Sequence, residues 1–105
     1  MAKQKSERRC PAGTVALGVD ETVETAYQIV GGRVQIEWKW DTWENFYLQS
    51  PFVFGALECI ERAKSTIRVQ ANEDTVLRPL SAEELSNPED PELAASVLQS
   101  LTLFL

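Results

Sequence analysis

Histidine is absent from this 105-residue chain, and with it go the commonest general base, the base of a serine triad and the commonest transition-metal ligand. Acid–base chemistry would fall to carboxylates, lysine or cysteine. The two cysteines, Cys10 and Cys59, lack the spacing of a CxxC metal or redox site, and neither has a predicted base beside it. Cys59 falls on the apolar side of an expected helix and Cys10 in an exposed lead-in, so two separate reduced thiols are expected. The acids Glu83, Glu84, Glu89, Asp90 and Glu92 lack the alternating ligands and central glycine of a calcium loop. They suit helix starts, where the macrodipole favours negative charge. No GxGxxG, GxxxxGK[ST] or GxSxG run occurs, and no helix follows Gly31-Gly32 to make it a phosphate loop. The sequence therefore offers no catalytic residue, no metal ligand and no cofactor motif, and a non-enzyme is expected.

The group that could recognise something is aromatic: Trp38, Trp40, Trp43, Phe46 and Tyr47. Rings at this density form a stacking platform for a ligand, a sugar or a partner's side chain, or else anchor a sheet face. Trp38 and Trp40 are in strand phase with Val34 and Ile36, which assigns them to a dry face. Trp43 lies beyond that regular stretch and is the better candidate for an exposed anchor. Glu44, Tyr47, Gln49 and Ser50 also fall at the positions read by a plant-virus protease used to remove purification tags. Internal and flanked by a strand and a helix, the segment reads as their junction, with Phe46 and Leu48 facing inwards.

The elements that must position these rings follow from periodicity. "GTVALGV" alternates Val15, Leu17 and Val19 as a short strand. Gly31-Gly32 suits a two-residue hairpin turn, pairing Ile29 with Val34, Tyr27 with Ile36, Thr25 with Trp38 and Val23 with Trp40 on a dry face. Gln28 with Gln35, Ala26 with Glu37 and Glu24 with Lys39 make the wet face. Ser50 and Pro51 suit the N-cap and first turn of a helix of about four turns carrying Phe52, Val53, Ala56, Leu57, Cys59, Ile60 and Ala63. Gly55 is a mild flaw in it that marks close approach to a strand. "STIRVQANEDTVLRPL" reads as two strands with a turn at "ANED". Ser81 and Glu84 form a capping box, and Asp90 with Pro91 starts a last helix along Leu93, Val97, Leu98 and Leu101. Its final six residues also alternate as a strand would. The expected order is β-β-β-α-β-β-α, an α+β two-layer sandwich with one antiparallel sheet and helices on one face.

At this length one core is expected, a single domain over residues 13–105 behind a mobile basic tail, residues 1–12. The apolar fraction of 44% and charged fraction of 25% are those of ordinary globular proteins. No apolar run reaches the ~18 residues of a membrane span and no signal-like stretch follows "MAKQKSERR", so a cytoplasmic protein is expected. Lys3, Lys5, Arg8 and Arg9 against Glu7 give the first nine residues +3, which leaves −9 on the remainder of a chain of net −6. Such an acidic body disfavours nucleic acid and steers towards a protein that is basic or has an exposed apolar segment. The apolar C-terminal helix offers a homodimer contact. In length, charge and element order the chain resembles the type III secretion chaperones, although it lacks room for the N-terminal helix usual in that family. The resemblance implies a dimer that binds partner polypeptides. The functional expectation is a non-enzymatic protein-binding module: an accessory, inhibitor, chaperone or assembly factor docking through an aromatic patch ringed by acids. The alternative is a small-ligand-binding domain with a pocket lined by Trp38, Trp40, Trp43 and Tyr47 between sheet and helix.

Overall fold

The computed structural model describes residues 7–38 and 41–103, without the side chains of residues 41–45 and 103. Within them the order is β1 (Arg8–Cys10), β2 (Val15–Leu17), β3 (Ala26–Gly31), β4 (Arg33–Trp38), β5 (Asp41–Gln49), β6 (Val53–Phe54), α1 (Ala56–Glu61), β7 (Ile67–Ala71), β8 (Thr75–Leu80), α2 (Ala82–Ser86) and α3 (Pro91–Leu103). The strands form two four-stranded antiparallel sheets, β1-β8-β3-β6 and β2-β7-β4-β5. The paired strands are β1 with β8, β2 with β7, β3 with β6 and β4 with β5, so the chain folds back on itself as one long, twice-bent ribbon. That arrangement is a β-rich jelly roll. The expected single sheet under helices is corrected to two antiparallel sheets with a few helices against the first: α1 packs on β3 and α3 on β6.

The correction turns on Gly31-Gly32. A two-residue hairpin would leave β3 and β4 side by side; instead the chain steps there from one sheet to the other, and the two strands share no pairing. The apolar phase is kept. Ile29, Val34 and Ile36 are all fully buried, but they enter the core from opposite sheets. Alternation fixes which face of a strand is dry, not which strand lies beside it. Gly32 sits at φ 90°, and a Cβ there would lie 2.5 Å from the Asp74 carbonyl oxygen and 2.7 Å from the Thr75 Cα. The reason is that the β7–β8 connection, expected as a hairpin turn at "ANED", is a second crossing between the sheets, stacked on the first. Arg33 ties them: its carbonyl accepts from the Asn72 N–H at 2.9 Å and the Thr75 hydroxyl at 3.2 Å.

The long helix expected from Ser50 is also corrected. Ser50 and Pro51 form a turn with a cis peptide between them, and Val53–Phe54 pairs with Tyr27–Gln28 as β6. Only then does α1 begin, behind Gly55 at φ 79°, and it ends at Arg62, whose φ is 55°. Phe52, Val53 and Phe54 are all buried; a short continuous apolar run suits a buried strand as well as one side of a helix. The place of a Gly55 Cβ is 3.5 Å from Val23 and 3.7 Å from the Ala26 Cα, the close approach to a strand expected of it. At the other end, Arg8–Cys10 belongs to the sheet rather than to a mobile tail, pairing with Thr75–Leu77. Cys10, expected exposed, is 2% exposed.

The caps stand where the sequence places them. Ser81 and Glu84 make the reciprocal capping box of α2, and the Asp90 carboxylate accepts from the Leu93 N–H at 2.7 Å ahead of α3. The end of the chain is helical through Leu103, while Phe104 and Leu105 lie outside the described residues. The core unites Ile29, Phe54, Leu77 and Leu80 of one sheet with Val34, Ile36, Ile67 and Val69 of the other, closed by Leu85, Leu93 and Val97.

Candidate functional site

The described aromatic side chains do not share one face. Trp38 and Phe46 point into the roll, meeting edge to face with ring centroids 5.5 Å apart and packing on the core. Tyr47, next along β5, takes the opposite face, 43% exposed, with the Arg33 guanidinium 5.1 Å from its ring centroid. Trp40 lies outside the described residues, and Trp43 lies on β5 with its side chain outside them. Between the pairs Ile36–Phe46 and Trp38–Asp41, β4 has one residue and β5 has four, so Trp43 sits in a bulged stretch rather than on a flat platform. β5 is the outermost strand of its sheet with β4 beside it, α1 and α3 pack on strands of the other sheet, and neither Trp38 nor Tyr47 lines the two clefts that follow.

Concave surface gathers instead on either side of residues 22–24. This segment is laced to the α1–β7 connection: the Ser65 N–H donates to the Glu21 carbonyl at 2.9 Å, the Asp20 N–H to Ser65 at 2.8 Å and the Val23 N–H to Ala63 at 3.1 Å. Thr22 and Lys64 complete an antiparallel bridge, and the Cys59 thiol donates to the Glu24 carbonyl at 3.4 Å. Held from behind in this way, Thr22, Val23 and Glu24 form a wall shared by two clefts. One, of about 330 Å³, is closed by Cys59 and Arg62 at the end of α1 and by Ala82 of α2. The other, of about 280 Å³, lies towards β1 and β2 and holds Arg8, Leu17, Glu21 and Tyr27.

Among the described residues each cleft is lined by one guanidinium, and sequence reading passed over both. Arg8 hid in a basic stretch whose strand is only three residues long, too short for alternation to show. Arg62 falls within a helix expected to run on to Ala63, whereas α1 ends at Glu61. The signal for Arg62 was Gly55: a helix that begins only after that glycine ends near Arg62. Among the described residues no group of three or more Cys, Asp or Glu side chains comes together to hold a metal ion.

No protein-family model matches the chain, and no curated protein does. Solved structures do match in fold. A cAMP-binding acyltransferase from Mycobacterium smegmatis, in a mutant form, has a TM-score of 0.76 at 16% identity over 91% of this chain and 31% of its own. The Catabolite Activator Protein of Thermus thermophilus has a TM-score of 0.72 at 20% identity, over 94% of this chain and 48% of its own. An EAL enzyme in a halfsite-occupied form has a TM-score of 0.70 at 21% identity, over 93% of this chain and 92% of its own. The chain thus spans about half the activator and about a third of the acyltransferase.

These likenesses correct three expectations. The protein-binding module, whether accessory, inhibitor, chaperone or assembly factor, does not stand: the shared jelly roll is that of structures described as cAMP-binding or as regulators. The outline resemblance to the type III secretion chaperones falls with it, since one sheet under helices is not this architecture. The expectation of a protein partner, and of no nucleic acid at the acidic body, does not stand either: transcriptional regulators are among the matches.

Proposed function

We propose that this chain is a small-ligand-binding domain without catalytic activity of its own, that its ligand is a cyclic nucleotide, and that the ligand sits in the cleft closed by Arg62. The observation that carries the reading is the jelly roll itself, matched over nine-tenths of the chain by a structure described as cAMP-binding. The cleft supports it: the space is of the size small ligands use, its walls mix apolar groups with few polar ones, and its single cation suits a singly charged phosphodiester. A cytoplasmic location belongs to the same proposal, supported by Cys10 and Cys59 being buried thiols that form no disulfide with each other.

The test is thermal unfolding of the whole chain with cAMP and with cGMP. Ligand at about one hundred times its Kd adds ~2.7 kcal/mol of stability, a rise of several degrees in Tm for a domain of this size. Arg62→Gln should abolish the rise while leaving the ligand-free Tm within a degree or two. No rise with either nucleotide at millimolar concentration overturns the cyclic-nucleotide assignment.

A further inference from the structure

The second cleft is chemically unlike the first. Its cation is Arg8, half-buried, with one guanidinium nitrogen 3.4 Å from both the Ala16 carbonyl oxygen and the Tyr27 hydroxyl, and the guanidinium carbon 5.6 Å from the Tyr27 ring centroid. These contacts aim the group without neutralising it, and among the described side chains no carboxylate stands within ion-pair distance of it. The lining of the same cleft includes Glu21 and Glu24. The Glu21 carboxylate accepts only a long bond, from the Gly18 N–H at 3.4 Å. Apolar groups are part of the lining too: Leu17 and Val23, both buried, and the half-exposed Val15.

One guanidinium facing two carboxylates, in a chain of net −6, is a poor receptor for a plain anion, which the acids repel, and for a plain cation, which Arg8 repels. A molecule carrying both charges meets a partner at each end. At about 280 Å³ the space is below the usual range for drug-sized ligands, which favours a small metabolite. We infer that the Arg8 cleft binds a zwitterionic small molecule, a free aliphatic α-amino acid, its carboxylate on Arg8, its ammonium at Glu21 and Glu24, and its side chain over Leu17 and Val23. This cleft shares the wall of Thr22, Val23 and Glu24 with the one proposed for a cyclic nucleotide, but Arg8, Leu17, Glu21 and Tyr27 line it alone, and the inference does not rest on that reading.

The experiment is titration calorimetry of the whole chain with three probes: L-leucine, N-acetyl-L-leucine, which lacks the ammonium, and L-leucinamide, which lacks the carboxylate. L-leucine should bind at least tenfold more tightly than either blocked probe. Arg8→Gln should weaken L-leucine tenfold or more and leave L-leucinamide unchanged, and Glu21→Gln should weaken L-leucine and leave N-acetyl-L-leucine unchanged. Glu21 is exposed, so its variant keeps the fold if Arg8→Gln does not. Failure of L-leucine to bind, equal binding of a blocked probe, or indifference to both variants overturns the inference. A cAMP titration separates it from the preceding proposal: cAMP bound without L-leucine sinks only this inference, and L-leucine bound without cAMP sinks only the cyclic-nucleotide assignment.

Discussion

A single methyl group at residue 32 measures how closely the two inter-sheet crossings are stacked. Gly32→Ala adds a left-handed backbone cost of about 1–2 kcal/mol and a clash with backbone atoms of Asp74 and Thr75 that cannot rotate away. The expected loss is ~2–4 kcal/mol in urea unfolding. Gly13→Ala is the control: φ there is 93°, yet nothing lies within 4 Å of the new Cβ, so only the backbone cost of about 1–2 kcal/mol applies. Equal losses at the two positions would show that the crossings are not in close contact. Arg33 sits at the same corner, 4.0 Å from Glu73 with both side chains about half exposed. A pair so exposed contributes little, and Arg33→Ala should cost under about 1 kcal/mol in the same assay.

Among the elements, the two short-range caps are the easiest to remove cleanly. Ser81→Ala frees the first turn of α2 and Asp90→Ala that of α3, each at about 1 kcal/mol. Amide exchange should quicken in the affected helix and not in the sheets. These caps were legible in sequence because capping is local: acceptor and orphan N–H lie within three residues of each other. Strand partnership is not local, and there sequence reading failed. It placed Ile29, Val34 and Ile36 on a dry face correctly, but assigned Val34 to Ile29 across a hairpin when its neighbours are Leu48 and Ala71. Trp38, Phe46 and Leu48 were legible as inward for the same reason. Tyr47 was grouped with Trp38 in one aromatic patch although strand alternation turns it outward, and Arg8 was not legible because a contact with Tyr27, 19 residues away in sequence, helps to aim it.

For the molecule as a whole, the two sheets share one core, so neither should melt alone. Phe54→Ala empties the place of the largest fully buried side chain and should cost ~3–5 kcal/mol, a large part of the ~5–15 kcal/mol typical of a domain. Near-ultraviolet and far-ultraviolet transitions should still coincide; separated transitions would mean the sheets unfold independently. The strand β5 adds something of another kind. It is the outermost strand of its sheet, with Leu48 buried and Tyr47, Gln49 and Ser50 on the surface. A tag-removing protease must take Glu44 to Ser50 as a free extended segment, which requires β5 to leave β4 and Leu48 to leave the core. Nicking between Gln49 and Ser50 therefore clocks the lifting of this edge, and with opening and closing fast relative to cleavage its rate converts to an opening free energy. The chain carries its own gauge of local opening, readable on a gel without any label.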